Sequence, residues 1–244
     1  MMIRTMTTIK KFIYICAFFS IVGWGPSSFL TSWFNPTVQV PLSDQAWVAK
    51  EMGVINAQAD NLDPDVLKLG LVAYAHARQR GIPLKPLLTL IDYSKPSNER
   101  RLWVVDMRTS KVLFNTWVSH GKNSGDVNAT SFSNEPGSLK SSIGVFMTES
   151  NPYVGLNGYS LRLMGLEQGF NDNAHMRSIV VHGAWYVDPE VIKRYGQLGR
   201  SWGCPAVGPD TVRPLINTIK DNSLVVVYYP DRNWLRNSTF LTTG

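Results

Sequence analysis

Two cysteines and four histidines are all that 244 residues offer to thiol or metal chemistry, and their spacing excludes much. No pair forms C-x-x-C or H-E-x-x-H, so the local zinc patterns are absent, and a site assembled from the distant His120, His175 and His182 has no local support. Ser201, within Gly199-Arg200-Ser201-Trp202-Gly203, has no obvious claim over the thiol three residues on, so a serine triad is weak. Lysines and arginines are scattered without a long run, so no nucleic-acid stripe is present. There is no repeat and no low-complexity tract. The one long apolar run, residues 12–22, is short for a membrane crossing.

That run has company on both sides. Arg4, Lys10 and Lys11 precede it and Gly23, Gly25 and Pro26 break it, the pattern of a secretory signal, with an uncleaved anchor as the alternative. Residues 1–25 are therefore expected to be a signal peptide or N-terminal anchor, the only membrane contact, and the rest an exported chain of the periplasm or cell envelope. Export removes Cys16 and leaves Cys204 without a disulfide partner. It also removes three of the 24 basic residues, leaving 21 against 18 acidic ones, a net charge of +3. Such an excess suits an anionic wall polymer and decides little by itself.

Residues 26–62 read as a Pro- and Ser-punctuated linker with a short helix near Ser43–Glu51. Asp63-Pro64 supplies a capping side chain and a first-turn proline for a helix that runs to Gly81. From Leu87 the period changes to short β-rich runs: 87–93, 102–106, 112–118, 143–148, 160–164, 178–182 and 224–229. The second and third form a hairpin across 107–111. Helices are expected at 188–195 and 209–220. Many short strands with few helices suggest a sandwich or barrel. Trp103 and Trp117 sit in apolar strands and are expected in the core, His76 in helix packing, and His175 in a solvated turn.

The chemistry concentrates in Gly199-Arg200-Ser201-Trp202-Gly203-Cys204-Pro205 and in Ile179-Val180-Val181-His182-Gly183. Gly203 permits close backbone approach, and Pro205 biases Cys204 toward extended geometry, so the thiol is held on a stiff turn. His182 ends a β-branched run where Gly183 breaks it, a place where a base faces a cleft. A thiol beside an imidazole is an activated nucleophile. His120, in the glycine-hinged loop His120–Gly125, is a candidate for substrate contact. Arg200 and Arg162 are candidates for carboxylate binding, and Trp185 and Trp202 for stacking on a substrate.

His182-Gly183-Ala184 followed by Gly199–Val207 resembles the murein L,D-transpeptidase catalytic domain family, YkuD-like L,D-transpeptidases. Phe114-Asn115-Thr116, His120–Gly125, Tyr159–Leu163 and Gly169–Ala174 add to the likeness, which runs from about Asp65 to Pro230. The resemblance implies a mostly β domain with peripheral helices, a YkuD-like β-sandwich or barrel, over 63–230, with 231–244 as a C-terminal tail. It implies no cofactor and no metal. Cys204 matches the nucleophile and His182 the base; Ser201 and Gly203 match their motif positions, and the N–H groups of Gly203 and Cys204 are the expected oxyanion donors. The implied substrate is the peptidoglycan stem peptide: attack before a terminal D-alanine, release of D-alanine and a 3→3 cross-link, with carbapenems as inhibitors. L,D-carboxypeptidase or endopeptidase action, or a non-catalytic wall-binding module, are the alternatives. Trp202 replaces the family's second histidine, and Pro205-Ala206-Val207 replaces a segment that usually carries Arg or Asn.

Overall fold

The computed structural model describes residues 42–242. The expected signal or anchor lies outside them, as does the linker before Leu42. Five helices and nine strands are described: α1 (Leu42–Asn56), α2 (Pro64–Gln79), β1 (Leu87–Asp92), β2 (Leu102–Asp106), β3 (Lys111–Thr116), β4 (Gly144–Thr148), β5 (Tyr153–Gly155), β6 (Gly158–Gly165), β7 (Val180–Gly183), α3 (Pro189–Tyr195), β8 (Ala206–Val207), α4 (Pro209–Ile219), β9 (Leu224–Tyr228) and α5 (Arg232–Asn237).

The strands make one sheet in the order β3-β2-β1-β9-β4-β6-β7-β8, with β5 added to β6. β1 is buried along its whole length because it lies between antiparallel β2 and parallel β9 and carries helix on one face. That explains a run of Leu, Thr and Ile without polar alternation. The sheet nearly closes on itself. Ser119, just past β3, forms an antiparallel bridge to Ala206 in β8, its N–H donating to Ala206 O at 2.8 Å. The expected mostly β barrel-like architecture with peripheral helices is thus present.

α2 starts as its sequence dictates: Asp63 caps through Oδ1 to the Asp65 N–H at 2.8 Å, with Pro64 in the first turn. Its apolar residues enter the core with Leu88, Leu90, Val145 and Val226. α4 lies on β7 so closely that a β-carbon on Gly183 would stand 2.9 Å from Val212. This contact requires glycine at the residue after His182.

Two segments depart from expectation. The short helix near Ser43 is a 15-residue helix, α1. Residues 231–241 are a folded part of the domain rather than a loose tail: Trp234, Leu235, Phe240 and Leu241 are buried in the main core. Glu167 holds them there, accepting from Trp234 Nε1 at 2.9 Å and from Ser238 Oγ, while its Oε2 also takes the Val145 N–H at 2.7 Å. β5 and β8, three and two residues long, are too brief for a periodicity to announce.

Candidate active site

β7 and β8 run parallel, pairing His182 with Ala206 and Gly183 with Val207. The His182 N–H donates to Pro205 O at 3.4 Å, so this histidine is hydrogen-bonded to the residue that follows Cys204. His182 Nδ1 lies 3.0 Å from Gly183 O. A carbonyl only accepts, so Nδ1 carries the proton and Nε2 presents its lone pair. Burial lowers the His182 pKa, opposed by that bond to Gly183, and the ring rests neutral at pH 7. The group that orients the ring is therefore the Gly183 carbonyl.

Cys204 lies along the start of β7. Its Sγ–H donates to Ser178 O at 3.7 Å, and no hydrogen bond joins it to His182 among the described residues. Burial raises the thiol pKa, while the Val180 N–H and the Arg177 charge pull it down. The sequence suggested an open cleft, but Cys204 is 9% and His182 5% exposed. The loop between β3 and β4 packs on the cysteine turn, where a β-carbon on Gly121 would stand 2.9 Å from Gly203 Cα.

The turn itself is locked from inside. Ser201 Oγ donates to Cys204 O at 2.6 Å and accepts the Gly203 N–H at 3.1 Å. Gly203 has φ +124°, and a β-carbon there would stand 2.8 Å from Lys140 O. Only glycine fits such a backbone. Ser141 Oγ donates to Gly203 O at 3.0 Å and accepts the Gly121 N–H at 3.0 Å. The two expected oxyanion donors therefore differ: the Gly203 N–H is taken by Ser201, and the Cys204 N–H has no partner among the described residues.

The remaining candidates separate by environment. Ser201 is buried with its hydroxyl engaged inside the turn. His120 is 0% exposed, so it lies behind the site: Nδ1 accepts from Arg101 Nη2 at 2.8 Å and Nε2–H donates to Gly125 O at 3.2 Å. Burial, reinforced by the Arg101 charge, drops its pKa to about 4. Its carbonyl accepts the Ser201 N–H at 2.9 Å, which ties the loop to the turn. Arg200 pairs with the Asp126 carboxylate and donates to Gly125 O at 3.1 Å. Arg162 is half-buried with its guanidinium 4.9 Å from the Tyr153 ring centroid, and no carboxylate lies within 4.0 Å of it among the described residues. Trp185 and Trp202 are exposed, Trp202 with Lys122 Nζ 5.8 Å from its ring centroid. His175 is solvated beside Glu149, and no cluster of three potential metal ligands occurs among the described residues.

Sequence reasoning missed Arg177, Arg101 and Ser141, which support the turn from other segments. Their polar character is visible in the chain, but only the folded sheet brings Arg177 and Ser141 to the cysteine turn and Arg101 to His120.

Fold and site together define a mostly β domain that holds one thiol in the turn before β8 and one tautomerically fixed imidazole on the neighbouring β7. The L,D-transpeptidase catalytic domain family matches residues 58–228, and the chain belongs to that family. Among solved structures it is similar to an L,D-transpeptidase from Mycobacterium smegmatis at 16% identity, covering 59% of each chain with a TM-score of 0.36. It is similar to an L,D-transpeptidase bound to imipenem at 15% identity, again over 59% of each chain and with a TM-score of 0.36. An L,D-transpeptidase from Enterococcus faecium is 14% identical, with 59% of this chain and 50% of that one covered and a TM-score of 0.34. The chain thus spans about 59% of the length of the first of these structures. No curated protein matches.

Proposed function

We propose that the chain is an exported peptidoglycan L,D-transpeptidase with Cys204 as nucleophile and His182 as base. The observation that carries this is the His182 Nδ1–H bond to Gly183 O, which leaves a basic nitrogen on the strand paired with the cysteine's own segment. For the imidazole to take the thiol proton at Nε2, Sγ must leave Ser178 O. The thiolate then attacks the carbonyl between the third residue of a tetrapeptide stem and the terminal D-alanine. The Cys204 N–H stabilises the oxyanion, a contribution typically on the order of 10²–10³ in rate. His182 returns the proton to the departing D-alanine amine, leaving a thioester on Cys204. A side-chain amine of a second stem attacks that thioester, gives its proton to His182 and frees the thiol, forming a 3→3 cross-link.

Arg162 is the better carboxylate ligand of the two arginines, because Arg200 is already paired with Asp126. Ser160 pairs with His182 and Arg162 with Val180, so the two-residue period puts Arg162 on the face of β6 that adjoins the His182 side of β7. Trp185 and Trp202 remain exposed surfaces for stacking.

Mass spectrometry of products from a tetrapeptide-stem substrate tests the reading. Dimers lacking one D-alanine are expected, and they vanish in Cys204→Ala. Arg162→Gln should raise KM at least about tenfold through loss of a charge-assisted contact, and Arg200→Gln much less. Tripeptides without dimers would mean hydrolysis, and cut cross-links an endopeptidase. The burial that raises the Cys204 pKa favours one other reading, a wall-binding module with an inert thiol; it would give no product at all.

A further inference from the structure

Arg177 stands at the end of the segment that turns into β7, one residue before Ser178, whose φ is +55°. Its guanidinium is held by four oxygens, all neutral. Nη1 donates to Ser133 O at 2.6 Å and to Ser142 Oγ, and Nη2 donates to Lys140 O at 2.6 Å and to Ser138 Oγ at 3.2 Å. No carboxylate lies within 4.0 Å of it among the described residues. Nη2 is 3.4 Å from where a β-carbon on Gly203 would stand, so the charge is packed against the backbone of the cysteine turn. A partly buried arginine normally finds a carboxylate, since its desolvation is otherwise uncompensated. This one has a cage of dipoles instead, with its charge packed against the backbone of the cysteine turn.

We propose that Arg177 supplies the positive charge against which Cys204 forms its thiolate, its hydrogen-bond partners all being neutral. The inference rests on the reading of Cys204 as nucleophile. The other groups around the sulfur do not supply the charge. His182 on β7 rests neutral; Tyr93, beyond β1, is pushed up to about 12 by burial, and Tyr186, beyond β7, is raised by burial as well. The coupling also appears from the arginine's side. Burial works against its charge, which the Cys204 thiolate and the Glu135 carboxylate both favour; at the thiol, the Val180 N–H and the Arg177 charge act together against burial. Arg177 does not touch the substrate in this account; it is a positioning residue acting through Cys204.

The test is the pH dependence of iodoacetamide alkylation of Cys204 in the full chain, followed by mass spectrometry, with near-ultraviolet circular dichroism as a check on folding. Arg177→Met should raise the alkylation midpoint by about one pH unit and slow alkylation at pH 7 about tenfold. Arg177→Lys, which keeps the charge and loses the fork, should stay within a few tenths of a unit of the parent. If Arg177→Met does not fold, Arg177→Gln against Arg177→Lys carries the same comparison. A midpoint unchanged on loss of the charge, or raised equally by Lys, overturns the inference and reduces Arg177 to a pin for the loop. Failure of the underlying reading looks different: Cys204→Ala would still make cross-linked product, whatever Arg177 does to the thiol.

Discussion

His120 and His182 are both buried imidazoles held neutral, but their partners set them to different tasks. His182 donates from Nδ1 to a carbonyl and keeps Nε2 open, whereas His120 accepts at Nδ1 from Arg101 and donates from Nε2, leaving nothing for a substrate. The second arrangement fails on protonation, because an imidazolium has no lone pair to offer a guanidinium. With a folded-state pKa of about 4 against an unfolded value of 6.5, the unfolded chain binds more protons between those limits. Stability from His120 is therefore complete above about pH 6.5 and lost as pH falls toward about 4, about 3 kcal/mol in all. Urea unfolding of the parent and His120→Gln at several pH values measures it: the difference between them should shrink across that window. A difference independent of pH would show that His120 is not held neutral. The sequence marked His120 by its glycine-hinged loop and could not reveal its burial, since Arg101 and Gly125 approach it only in the folded sheet. Cys204 and His182 were legible because each is framed by residues with a local backbone meaning: Pro205 and Gly203 for one, Gly183 after a β-branched run for the other.

At the scale of elements, the strands that gave clear runs appeared where expected, and the hairpin 102–116 turns at 107–110. Elements defined by partners rather than by pattern did not. β8 exists because β7 and Ser119 flank it, and α5 because Glu167 offers Trp234 and Ser238 a buried carboxylate. Glu167→Ala would orphan the Val145 N–H and the Trp234 and Ser238 donors, at about 1–3 kcal/mol each before relaxation. A loss of about 3 kcal/mol in thermal or urea unfolding is expected for Glu167→Ala, with Glu167→Gln keeping most of the parent's stability through its remaining carbonyl oxygen. Equal, small effects of both substitutions would mean that α5 is not held by this carboxylate.

For the whole molecule, the family match ends at residue 228, yet the core continues through Leu241, so the folded unit is larger than the shared domain. Its consequence is a site built from distant parts of the chain. The β3–β4 loop packs on the cysteine turn, β7 carries the base, and Arg101 and Arg177 each steady one side. Among the described residues no helix is long and apolar enough to cross a membrane. Catalysis as proposed requires an accessible, activatable sulfur at position 204. Intact-protein mass spectrometry with peptide mapping after incubation with imipenem tests that most directly. The parent should gain one drug mass on the peptide containing Cys204, His182→Ala should acylate at least about 10²-fold more slowly, and Cys204→Ala should not react. An unmodified parent, or an adduct on any other residue, would contradict it.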